Sequence, residues 1–211
     1  MNSNLCQTCK NMREVRTAKS CFLLCQLSAT NSHYRKYPPQ PVERCDGYQR
    51  DDEMPGQVRI EYLADHPEAV PLLAAWHHAQ WKDLLSGWTH EQAEADLREH
   101  TGGRQVPTTM VALAGDRVIG SASLLVADLD GWEQLSPWVA SVYVLPEWRG
   151  KGIGRQLVTR AVEEGTALGF TSLYLWTAGQ RTFYERLGWE DFATARLGLV
   201  DVAVMRRELG E

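Results

Sequence analysis

No apolar run in this chain of 211 residues approaches the roughly 18 residues that a membrane span requires. Nothing near its start resembles a cleavable secretory signal, and its five cysteines are an odd number, so a disulfide framework is not expected. Net positive charge is missing too. Against 22 Lys and Arg stand 27 Asp and Glu, and a formal charge of −5 argues against a general nucleic-acid binder. These absences leave a soluble, cytoplasmic protein as the expectation, monomeric or homodimeric, with no membrane or nucleic-acid partner. A 44% hydrophobic content suffices for one substantial core.

What is present is unevenly distributed. Residues 1–50 carry eight Lys or Arg against three Asp or Glu, leaving 14 against 24 for residues 51–211. An acidic main domain would suit a cationic amine. All five cysteines (Cys6, Cys9, Cys21, Cys25, Cys45) also lie in the first segment, followed by polar sequence to Met54-Pro55-Gly56. We expect residues 1–56 to be a poorly ordered extension, and Met54 is a candidate internal start. Cys6-x-x-Cys9 with Cys21-x-x-x-Cys25 offers four thiolates for zinc, but the second spacing is loose and few apolar residues are available to surround such a site.

Regular periodicity begins near Val58. Val58 to Leu63 alternates as a strand does; Asp65-His66-Pro67-Glu68 then supplies a cap for a helix over about 67–85, and Thr89-His90-Glu91-Gln92 a capping box for a helix to about His100. Gly115-Asp116 turns a hairpin between Thr109–Ala114 and Val118–Val126, and Gly198 turns a last one. Between them lie a β-branched and aromatic strand, Trp138–Val144, and a helical pattern through Ile153, Leu157, Val158, Ala161 and Val162, with a further strand over Ser172–Trp176. The pattern is an α/β mixed sheet with helices on both faces.

The strand and helix are joined by Trp148-Arg149-Gly150-Lys151-Gly152-Ile153-Gly154. Glycines before a helix start let an anion approach main-chain N–H groups that have no intrahelical partner, where the peptide dipoles add about 0.3–1 kcal/mol. Lys151 is followed by Gly152 rather than Ser or Thr, so this is not a P-loop. The spacing G-x-G-x-G also departs from the dinucleotide G-x-G-x-x-G, and the strand ending at Trp176 closes without a carboxylate for a ribose.

Arg149 to Gly154 reads R-x-x-G-x-G, and with the strand, Pro146-Glu147 and the helix it resembles the acetyl-CoA loop of the GNAT superfamily of N-acetyltransferases. The resemblance begins near Gln57 and implies an N-acetyltransferase domain over 57–211, with a mostly antiparallel sheet splayed between its fourth and fifth strands. It also implies acetyl-CoA as acetyl donor, no required metal, and main-chain contacts to the pantetheine arm along Val142, Tyr143 and Val144. Arg149, Gly150, Lys151, Gly152, Ile153 and Gly154 would surround the pyrophosphate. Arg181 to Trp189 resembles the family's short helix, whose tyrosine protonates the departing thiolate; Tyr184 matches it. Thr177 stands where the family often has an asparagine that binds the pantetheine arm, so that bond is in doubt.

The base is not legible. Many such enzymes place a carboxylate on or near the fourth strand, and Trp138–Val144 has none. Asp128, Asp130 and Glu133 in the preceding loop are candidates, as are His77 and His78. Trp88 and Trp132 would line an acceptor wall together with Asp130 and Glu133. Three readings stay open: acetyl transfer to a primary amine of a small molecule or peptide, a CoA-binding regulatory module without turnover, and an acetyltransferase carrying a zinc-binding interaction segment.

Overall fold

A computed structural model describes residues 4–17, 20–49 and 58–210, and the chain divides into two units, Met1–Gln57 and Val58–Glu211. The first unit is a hairpin with loops pinned to it. Strands β1 (Met12–Arg16) and β2 (Cys21–Cys25) pair antiparallel from Met12↔Cys25 to Arg16↔Cys21. Main-chain bonds from Leu5 to Val42 (2.8 Å) and from Lys10 to Gln49 (2.9 Å) tie distant segments together. Among its described residues the only buried hydrophobic one is Cys9. Met54 lies outside the described residues.

The second unit is built on a seven-stranded sheet in the order β3-β4-β5-β6-β7-β9-β8, whose strands are β3 (Arg59–Tyr62), β4 (Thr108–Ala114), β5 (Arg117–Leu125), β6 (Trp138–Val144), β7 (Ser172–Thr177), β8 (Glu190–Leu197) and β9 (Val200–Glu208). Only β6 and β7 run parallel, joined by helix α3 (Ile153–Ala167). β4 is buried along its whole length because alternate side chains serve opposite faces. Val111 and Leu113 pack with Leu73 of α1 (Val70–Trp81) and Leu97 of α2 (His90–Glu99). Ala112 and Ala114 pack instead with Ile153 and Leu157 of α3, and Met110 with Val158 and Ala161.

Helix boundaries follow local chemistry. The Thr89 hydroxyl accepts from the Gln92 N–H at 3.2 Å while the Gln92 side chain accepts from the Thr89 N–H at 2.8 Å, a complete capping box. Asp65 does not cap α1: it ends a short 3₁₀ turn, Leu63–Asp65, and a second turn, Pro67–Ala69, leads into α1. That helix stops at Trp81 rather than near residue 85. Glu164 of α3, fully buried, binds the Tyr62 hydroxyl (2.6 Å) and Arg160 (2.8 Å), tying α3 to β3. Burial opposes its charge, but these bonds more than offset that and hold its carboxyl below the usual range.

Two features open the sheet. Ser141 has φ 51°, a left-handed conformation unusual for a residue with a Cβ, and the β5–β6 register slips by one residue there. β7 pairs with β9 along its length but with β6 only at Trp138↔Tyr174. Beyond that point β6 and β7 part.

Candidate active site

The gap between β6 and β7 is the middle of a cleft of about 1120 Å³ that runs from the start of α3 to α1 and α2. On β6 the hydrogen-bond directions alternate. The Leu145 N–H donates to Ile119 of β5 at 3.0 Å and Tyr143 is paired with Ser121, so the main-chain groups of Val142 and Val144 face away from β5, into the gap. Tyr143 turns its main chain to the sheet and also lines the cleft, its ring stacked on Trp76 at 5.4 Å. The Val144 carbonyl accepts from Arg149 Nε at 2.9 Å.

At the end of the cleft, the chain turns through Pro146–Trp148 and enters α3 by way of Gly150 (φ 74°) and Gly152 (φ 81°). Gly152 is the N-cap of α3, and a Cβ built on either glycine meets no atom within 4 Å. At both glycines the loop into the helix thus faces open space. Its first turn carries no acidic residue and does carry Arg155, a wall residue that sequence reasoning passed over. Ile153 and Gly154 also line the cleft; Lys151 does not, its ammonium lying 4.6 Å over the Trp148 ring.

Tyr184 comes from α4 (Arg181–Glu185) and is 8% exposed, packed against Phe183 and Trp189. Its hydroxyl forms no hydrogen bond with any described residue. Burial and then the nearby Asp128 charge push its phenol up to about 12, so it stays protonated. Thr177 lines the cleft, but its hydroxyl accepts from the N–H groups of Gln180 (3.0 Å) and Gly179 (3.4 Å), closing the turn before α4.

The loop acids separate sharply. Asp128 is in the cleft wall, its main-chain oxygen accepting from the Trp176 indole at 3.0 Å, and burial pushes its carboxyl up to about 8. Asp130 is exposed and outside the wall. Glu133 accepts from the Gly131 N–H at 2.8 Å, and Trp132 packs on Leu129, Trp138 and Val204, so neither reaches the cleft. Trp88 does line it, its indole donating to Asp96 at 3.1 Å. Asp96 and Glu99 share that wall, residues for which the sequence offered no signal beyond a helix's polar face.

Beneath this end lie two buried histidines. His77 Nε2 is 2.8 Å from the Ser121 hydroxyl, and His100 Nδ1 is 3.0 Å from Thr109, which is 2.7 Å from Ser123. Burial, then the charge of His100, lowers His77 to about 3, so it is neutral and its ring nitrogen engaged. Of the acids in the loop before β6, Asp128 alone lines the cleft, its carboxyl raised towards neutrality. His78 is absent from the wall.

A mixed sheet parted beside a glycine-lined helix start, with a buried phenol across the gap, defines a class of proteins that hold a phosphate-bearing ligand edge-on to a strand. Residues 73–189, more than half of the chain, match the Acetyltransferase (GNAT) family model, and the chain belongs to that family. "Uncharacterized N-acetyltransferase YjgM" of Escherichia coli (strain K12) is 37% identical over 91 residues, 40% of this chain; the match spans about half of that relative, 54%. Among solved structures, yncA of Salmonella typhimurium, determined with its cofactor acetyl-CoA, has a TM-score of 0.55 at 21% identity over 74% of this chain and 96% of its own. An aminoglycoside 6'-N-acetyltransferase complexed with coenzyme A has a TM-score of 0.57 at 14% identity over 71% and 96%. At these identities the two structures show the fold.

Proposed function

We propose that residues 57–211 form an N-acetyltransferase domain that moves an acetyl group from acetyl-CoA to a primary amine by direct attack. The observation that carries this reading is the free Tyr184 hydroxyl at the cleft, held protonated and opposite the outward main chain of β6. The donor fits what lines the cleft. Gly150, Gly152 and the first turn of α3 would take the pyrophosphate, and Val142 and Val144 would bind the pantetheine amides as an added strand. The Val144 N–H would also hold the acetyl oxygen as it gains charge, since one such donor is typically worth ~2.7–4 kcal/mol. Arg155 adds a cation at the phosphate end. Solved relatives holding acetyl-CoA or CoA support the choice of donor.

The amine nitrogen attacks the acetyl carbon and the carbon–sulfur bond breaks. Asp128 accepts the proton lost by nitrogen; Tyr184 gives its own to the thiolate. Burial raises both groups, the carboxyl to about 8 and the phenol to about 12, so near neutral pH the phenol keeps its proton while the carboxyl can take one up or give one back. A lysine-like amine, pKa about 10.4, is only ~0.04% neutral at pH 7, so a base that works near neutrality matters. Asp96 and Glu99 beside Trp81 and Trp88 favour an amine whose remainder is cationic or aromatic-stacking, in the cytoplasm. The test is thiol release from acetyl-CoA with a panel of polyamines, aminoglycosides and peptide N-termini. Turnover with one class supports the reading; CoA binding without thiol release from any amine would leave a binding module instead.

A further inference from the structure

The first unit poses a folding problem. It spans Met1–Gln57 and has, among its described residues, two short strands and one buried hydrophobic side chain, Cys9. Units of that size seldom bury enough surface to stand alone and are usually stapled by disulfides or a metal. Its hairpin and loops nevertheless converge on one small cavity of about 20 Å³, room for a single atom-sized guest. Four of the five cysteines line it: Cys6 and Cys9 from the segment before β1, Cys25 from the end of β2, and Cys45 from the loop beyond.

Cys21 is excluded from that group. It pairs with Arg16 at the turn end of the hairpin, whereas Cys25 pairs with Met12 at the other end. Four residues of extended strand separate them by roughly 13 Å. Cys21 is exposed, and its thiol donates to Glu14 at 2.7 Å. The spacing Cys21-x-x-x-Cys25 is therefore not a ligand pair, and Cys45, twenty residues further on, takes the fourth place.

We propose that Cys6, Cys9, Cys25 and Cys45 bind one zinc ion as a structural four-thiolate site. No disulfide joins the five cysteines, and among the described residues no three His, Cys, Asp or Glu side chains are drawn in to metal-ligand geometry. Protonated thiols have no reason to close on one point. Zinc binding supplies the reason, because each ligand gives up its proton as the metal–sulfur bond forms, and the binding free energy becomes folding free energy. A zinc ion with four thiolates carries net −2. The excess of eight Lys or Arg over three Asp or Glu in residues 1–50 offsets that charge.

The experiment uses the full chain, purified under reducing conditions, with metal content measured by elemental analysis and native mass spectrometry. One zinc per chain is expected. Cys45→Ser and Cys6→Ser should lose it, and Cys21→Ser should keep it. A thiol reagent should label Cys21 alone in the wild type and all five cysteines after a strong zinc chelator. This chelation arm needs no variant to fold, and acetyl-CoA binding reports whether residues 58–211 remain folded throughout. Metal-free protein with five reactive thiols, iron in place of zinc, cysteines joined as disulfides, or zinc retained in Cys45→Ser but lost in Cys21→Ser would each overturn the proposal.

Discussion

The two ends of the cleft are built by different means. At the end proposed for the donor the wall is main chain: the outward groups of β6, the glycine-bounded start of α3 and the turn that Thr177 closes before α4. At the end proposed for the acceptor the wall is side chains, from Trp81 and Trp88 to Asp96, Glu99 and Asp128, supported by a buried layer of histidines and hydroxyls. Main-chain sites tolerate little change in backbone shape but say nothing about which amine arrives. Side-chain sites can be rewritten one residue at a time, and there specificity resides.

The sharpest way to break the donor end is Gly152→Val. A branched residue at φ 81° is strained by about 1–3 kcal/mol, and its side chain would project into the open space over the helix start, removing contacts each typically worth ~1.5–3 kcal/mol to a charged ligand. Affinity for CoA, measured by calorimetry, should fall on the order of 100-fold. Unchanged affinity would move the pyrophosphate away from this loop.

Next comes the point where the two ends meet. Tyr184→Phe keeps the ring packed against Phe183 and Trp189 and removes only the free hydroxyl. kcat should drop about tenfold or more while CoA affinity stays within twofold. Equal kcat in the variant would remove Tyr184 from the chemistry.

This contrast also explains what the sequence revealed. The turn at Gly150 and Gly152 could be read directly, because the missing side chain that permits φ of 74° and 81° is written in the sequence itself. The capping box at Thr89 was legible for the same local reason. Ser141 was not, since its left-handed φ is imposed by a slip against β5, a partner twenty residues away. Nor could Asp128 be told from Asp130 and Glu133: composition treats them alike, and only the Trp176 indole and the course of the loop turn one inward. Asp65 looked like a helix cap, yet Pro67 starts a separate turn before α1. Cys21 and Cys45 exchanged roles because strand geometry, not spacing, decides which thiols meet.

At the acceptor end, Asp128→Asn probes the base. The proton is accepted only by the carboxylate, and a pKa raised to about 8 leaves that form a minority at pH 7. Wild-type kcat/KM should therefore rise as pH climbs through about 8, roughly tenfold between pH 7 and 9 beyond the Asn variant's rise. The acceptor's own titration is common to both proteins and cancels in the ratio. Parallel profiles would send the search for a base elsewhere.

The smallest effect expected is also the most selective. Asp96→Asn keeps an oxygen to accept the Trp88 indole, so the wall should hold its shape while losing one negative charge. Asp96 is exposed, and an exposed charge pair contributes only ~0.2–1 kcal/mol, so KM for a dicationic amine should rise about two- to fivefold at low salt. An amine of similar size with an uncharged tail should show no change, and the difference should shrink at high salt as screening shortens the reach of the lost charge. A rise for both amines would mean that Asp96 acts by packing Trp88. A rise for neither would place the acceptor's second charge away from Asp96, towards Glu99 or solvent. Because the donor site is main chain, KM for acetyl-CoA should be unaffected in every case, and that invariance separates the two ends of the cleft.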